Sequence, residues 1–74
     1  MASKLPIVSG KQAVKAFNKL GYAVIRRRSS HIRLEHESKK KITIPDHKTL
    51  GKGILRKLIR DAEITIEEFN KLLK

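Results

Sequence analysis

Between residues 31 and 45 the apolar side chains stop recurring every three or four positions and begin to alternate. Ile32 and Leu34 stand among His31, Arg33 and Glu35, and Ile42 and Ile44 stand among Lys41, Thr43 and Pro45. A two-residue period belongs to a strand with one buried face. On either side of this stretch the spacing is helical, so the chain is expected to lay helices on one face of a sheet.

The flanking signals are specific. Ser9, with Gln12 three positions on, is a capping-box signature. Ala13, Val14, Phe17 and Leu20 then recur at helical spacing, with Lys11, Lys15 and Lys19 on the other side, and Gly21 supplies a left-handed stop. "YAVIRRR" starts aromatic and β-branched and reads as a strand. Ser29 and Ser30 make a tight connection to "HIRLEH", the polar "ESKK" turns the chain, and "KITIP" is a third strand. Pro45 has no amide to donate and so ends the ladder. After the irregular "DHKTLGKG", helical spacing resumes through Ile54, Leu55, Leu58, Ile59 and Ala62. Thr65 is an N-cap with Glu68 as its box partner and an Ile64–Phe69 staple, opening a short helix that buries Phe69, Leu72 and Leu73. The expected fold is α+β, in the order α-β-β-β-α, with a three-stranded antiparallel sheet and a short extra C-terminal helix. One domain is expected over residues 1–74, with its core at about 9–73.

Composition narrows the function. No cysteine is present, which excludes disulfides and thiolate metal sites, and His31, His36 and His47 lack the paired spacing of structural zinc. No metal or cofactor is implied. No apolar run reaches the roughly 18 residues that a membrane span needs. "MASKLPIVSG" has neither an apolar centre nor a cleavage site, so a cytoplasmic protein is expected. Eighteen Lys and Arg against seven Asp and Glu give a net charge of +11. The excess lies in the body of the chain, since residues 1–60 hold sixteen basic and three acidic side chains. A domain this cationic repels itself unless a polyanion neutralises it. Nucleic acid is the first candidate partner and an anionic membrane surface the second.

Alternation also says where the histidine points. With Ile32 and Leu34 inward, His31 and Arg33 face outward, joined by Lys41 from the third strand and with Arg26, Arg27 and Arg28 close by. Neutral imidazole is what a general base requires, and the cations suit a phosphate. An exposed strand histidine is, however, most often plain polar surface, and periodicity leaves both readings open. His36 shares the inward parity of Ile32 and Leu34, which suits a cap on the edge of the core. His47 sits in a loop.

The layout "SGKQAVKAFNKLGY", "RRSSHIRLEH", "ITIPDH" and "LGKGILRKLIRDAEITIEEF", from Ser9 to Phe69, resembles the HicA-type mRNA interferases, toxins of toxin–antitoxin pairs. The resemblance implies a fold like the double-stranded RNA-binding domain and a ribonuclease that depends on one histidine. That position falls on His31, with Ser30 matching the family's serine. Ser29 stands where glycine is usual, Ile32 where a second histidine is common, and Ile54 where Gly-Thr-Leu has its threonine. The second proton carrier is thus open, with His47 and His36 as candidates; His47 matches the family's Ile-Pro-x-His. Arg26, Arg27, Arg28, Arg33 and Lys41 are the expected phosphate contacts, and Lys48, Lys52 and Arg56 are available from the loop and second helix, with Lys57 and Arg60 beyond them. The resemblance further implies RNA as substrate and a HicB-type antitoxin that masks the active face. Two rivals stand beside it. A non-catalytic double-stranded RNA-binding module shares the fold and has no need of His31. A peripheral membrane or ribosome-bound basic protein would need exposed apolar anchors, whereas spacing puts both phenylalanines in the core.

Overall fold

The computed structural model describes residues 4–74; Met1–Ser3, the start of the stretch weighed as a leader, lie outside it. Helix α1 (Gly10–Leu20) opens on the expected capping box. The Gln12 amide donates to Ser9 Oγ at 3.1 Å, and the Ser9 amide donates to Gln12 Oε1 at 2.9 Å. The helix closes at Gly21, whose φ of +112° lets the amides of Gly21 and Tyr22 reach back to the carbonyls of Asn18 and Phe17. This closure sets Tyr22 edge-on to Phe17, with ring centroids 5.7 Å apart.

Strands β1 (Ala23–Arg28), β2 (His31–Glu35) and β3 (Ile42–Pro45) form one antiparallel sheet in chain order. Ile32, Leu34, Ile42 and Ile44 point to its inner side and are buried with Phe17, Leu55 and Phe69. The two phenylalanine rings meet at 5.3 Å. Helices α2 (Lys52–Asp61) and α3 (Ile66–Leu72) complete the layer, with α1 and α2 against β3 and α3 against α1. The order α-β-β-β-α-α is the α+β fold expected, like a double-stranded RNA-binding domain with one extra helix. Tyr22 is buried, and its hydroxyl donates to the Lys40 carbonyl at 2.8 Å, tying the turn after β2 to the end of α1. Burial pushes its phenol up, and Asp61 and Glu63 reinforce the shift.

Differences from the sequence reading fall at element ends and in burial: Ile54, on the expected apolar stripe, is exposed, and Leu72 and Leu73, expected in the core, are only partly buried. Helix α2 begins at Lys52, two residues before Ile54, from an extended Gly51 without a side-chain cap. Its first turn lies off the apolar stripe, so periodicity carries no signal there. Strand β3 starts at Ile42 and β2 stops at Glu35, which leaves Lys41 and His36 outside the ladder. The α3 capping box forms as expected: Thr65's amide and then its side chain hold the Glu68 carboxyl below the usual glutamate range. Pro45 does end the strand, although the Asp46 amide still donates to the Ser30 carbonyl at 2.6 Å.

The start of α1 is pressed onto the chain leaving β3. The Gly10 amide donates to the His47 carbonyl at 2.9 Å, and the Leu50 amide to Val8 at 2.8 Å. A Cβ at Gly10 would collide with the Pro45 carbonyl oxygen and lie 2.9 Å from Asp46 Cα. Backbone cannot step aside as a flexible side chain does. Gly10→Ala is therefore expected to cost about 2 kcal/mol and to lower Tm by roughly 10 °C in thermal unfolding. Gly53→Ala, with nothing within 4 Å of the new methyl, is expected to gain about 0.5 kcal/mol instead.

Candidate functional site

The site is shaped by one irregularity in the β1–β2 ladder. Val24 pairs with Leu34 and Arg26 with Arg33, so two steps on β1 match one step on β2 and Ile25 is the extra residue of a bulge. Strict alternation from the inward Val24 would turn Arg26 and Arg28 inward and Arg27 outward. The bulge inverts this. Arg26 lies opposite Arg33 and Arg28 opposite His31, on the open face, while Arg27 pairs with Ile32 on the helix side. The sequence grouped the three arginines around the histidine; the structure divides them two to one.

His31 opens the central strand, between Arg28 on β1 and Pro45 on β3, and is exposed. Two residues along, Arg33 lies between Arg26 and Thr43 and donates from Nη1 to Thr43 Oγ1 at 2.8 Å. That hydrogen bond ties the Arg33 guanidinium to the neighbouring strand. Ile25, Arg26, Arg28, Ser29, His31, Arg33 and Thr43 line an open groove of about 800 Å³. On the β3 side His31 and Arg33 also border a smaller hollow of about 320 Å³, shared with Lys41, Pro45 and, from α2, Ile54 and Lys57. Among the described residues the side-chain ion pairs are Lys57–Asp61 and Lys71–Glu67. Arg26, Arg28 and Arg33 take no part in these pairs, whereas Lys57, in the smaller hollow, is matched there by Asp61. A groove of this kind, with an imidazole among its cations, suits an anion.

Ser29, at φ +55°, holds the left-handed backbone that glycine adopts freely, at a cost of about 1 kcal/mol for a residue with a Cβ. The turn before His31 therefore keeps a glycine-type shape although serine occupies it. The sequence did not mark Ile25 or Thr43 as site residues. Neither a bulge nor a cross-strand register has a local signal that would have found them.

The other expected residues lie apart. His36 sits roughly 16 Å further along the strand direction. The Ser38 amide donates to its Nδ1 at 3.1 Å, which leaves Nε2 as the donor to the Leu20 carbonyl, also at 3.1 Å. Its ring stands edge-on to Tyr22 at 5.0 Å, and it borders a different hollow, with Gly21 and Ala23. Both ring nitrogens are engaged in closing the core. His47 follows Asp46, whose amide bonds Ser30, so its backbone lies near the start of β2; its side chain is exposed and it lines neither groove that His31 borders. Lys48, Lys52 and Arg56 are exposed on the loop and α2, and none of them lines those two grooves either.

These placements separate a structural histidine from an open one. His36→Ala is expected to lower the unfolding free energy by about 1–3 kcal/mol, because it orphans the Leu20 carbonyl and the Ser38 amide. His31→Ala is expected to stay within about 0.5 kcal/mol in the same denaturant titration.

No helix among the described residues is long and apolar enough to cross a membrane, and none of their His, Asp and Glu side chains cluster into a group that could hold a metal ion. No curated protein matches the chain. A family model described as the HicA toxin of bacterial toxin–antitoxin systems does match it, over residues 10–64, from the first residue of α1 to Ile64, just before the Thr65 cap of α3. That span takes in the whole sheet with the bulge, His31 and both grooves, and the chain belongs to the HicA toxin family.

Proposed function

We propose that this chain is an endoribonuclease, the mRNA-cleaving toxin of its pair, with His31 as general base or general acid. The observation that carries the reading is the exposed His31 imidazole in one groove with Arg26, Arg28 and Arg33, none of which forms an ion pair among the described residues. RNA cleavage by its own 2′-hydroxyl needs a base for that proton, charge for the phosphorane oxygens, and a proton for the leaving 5′-oxygen. The 2′-oxygen bonds to phosphorus, the bond from phosphorus to the 5′-oxygen breaks, and a cyclic phosphate and a free 5′-hydroxyl result. His31 carries one of the two protons. Arg33, pinned by Thr43, and Arg26 and Arg28 from β1 balance the developing charge, while Lys41 extends the cationic rim. His47 is the candidate for the second proton, since its backbone lies nearer to His31 than that of His36.

The antitoxin partner that the family implies is here proposed to be of the HicB type, covering this face with a segment rich in Asp and Glu. Complementary charge speeds such an encounter and makes it salt-sensitive.

His31→Ala is expected to lower RNA cleavage at least 1,000-fold, on the order of the loss of a general acid–base group, and to abolish growth inhibition while RNA binding stays within about threefold. Full cleavage by this variant would remove His31 from the mechanism. Wild-type protein that binds RNA and never cuts it would be a binding module of the same fold. Binding measured at several salt concentrations is expected to weaken linearly in log–log form, with a slope of about −0.7 for each phosphate contacted on a single strand.

A further inference from the structure

The β-bulge that brings Arg26 and Arg28 to the histidine sends Arg27 to the other side of the sheet, and a second cationic groove lies there. Between α1 and β1 it encloses about 310 Å³, floored by Val14 and Ile32 and rimmed by Lys11, Lys15, Asn18 and Arg27. Floor and rim differ sharply: Val14 and Ile32 are buried, and the three cations and the amide are exposed. Lys11 and Lys15 stand one turn apart on one face of α1, and α1 has no acidic residue over its whole length. Neither lysine nor Arg27 takes part in an ion pair among the described residues. Like charges held this close raise the energy of the free protein, and an anion bound between them lowers it.

The two grooves share a ridge. Strand β1 is an edge of the sheet and is exposed along all six residues, with Arg26 and Arg28 on one side and Arg27 on the other. We propose that the groove of Lys11, Lys15 and Arg27 is a second phosphate-binding site. It takes the RNA strand where it continues past the cleavage groove and over the β1 edge. The proposal rests on the ribonuclease reading for its ligand and extends it, because it makes substrate length a determinant of activity. At about 3.4 Å per phosphate of a stacked strand, the molecule's smallest dimension of 21 Å spans roughly six nucleotides. A shorter RNA fills the histidine groove alone. A longer one engages both.

The test compares kcat/KM for an unstructured RNA of about four nucleotides with that for one of about sixteen, at low salt, in wild-type protein and in the Lys11→Gln/Lys15→Gln double variant. In the wild type the longer RNA is expected to be cleaved at least tenfold more efficiently. The Gln variant is expected to lose at least fivefold of that ratio, and Lys11→Arg/Lys15→Arg to retain it. Binding of an uncleavable 2′-deoxy 16-mer to the Gln variant is expected to show a salt slope shallower by roughly 1.4, the share of two lost contacts on a single strand. An unchanged ratio with an unchanged salt slope would overturn the second site. If neither RNA is cleaved by the wild type, the nuclease reading fails by itself. The salt slope of the 2′-deoxy 16-mer then decides the groove, because that measurement needs no cleavage.

Discussion

Ile32, Leu34, Ile42 and Ile44 bind one face of the sheet to α1 and α2, with α3 packed on α1, and nothing equivalent among the described residues covers the other face. With sixteen basic side chains in the first 60 residues and an interior too small to hold an unpaired charge, the cations have only the bare face, the sheet edge and the outer sides of the helices to occupy. No polar or charged side chain is buried among the described residues. Stability and binding capacity therefore come from the same partition. Each aliphatic residue that turns inward on a strand obliges its polar neighbour to turn outward, and on β2 that obligation places His31 and Arg33 side by side on the open face.

The bulge at Ile25 then decides how the charge is distributed. A regular β1 would have turned two arginines toward the helices and one toward His31. One extra residue reverses that division, concentrating Arg26 and Arg28 on the histidine's face and leaving Arg27 for the groove beside α1. Repulsion among Arg26, Arg28 and Arg33 is a standing cost of the free protein, offset in part by the hydrogen bond from Arg33 to Thr43. The serine at φ +55° adds strain at the same turn. Charge and strain gathered at one turn are what a site keeps when an anionic partner relieves them. A toxin–antitoxin family implies an antitoxin partner for the chain.

Much of this was legible in the residues. The two capping boxes, Ser9 with Gln12 and Thr65 with Glu68, formed as the sequence indicated, because their hydrogen bonds join groups three positions apart and depend on nothing else. The inward set on β2 and β3 was legible because alternation is a local property of an extended chain. Harder to read were the contacts between elements. Nothing near Thr43 announces Arg33 as its partner, since their pairing is a matter of register across ten residues of chain. The start of α2 is silent in the sequence for a different reason: a first turn outside the apolar stripe leaves no periodic trace.

The order of elements, the inward set on β2 and β3 and the outward direction of His31 are properties of the residues alone, because they follow from dihedral preference and from the period of apolar side chains. Which arginines stand beside that histidine, the commitment of His36 to Leu20 and Ser38, and the second cationic groove behind β1 emerge from the packed fold alone. The physical reason is that a bulge, a cross-strand pair and a helix-to-strand groove each depend on how distant segments meet, and the energy of that meeting is written in no short stretch of the chain.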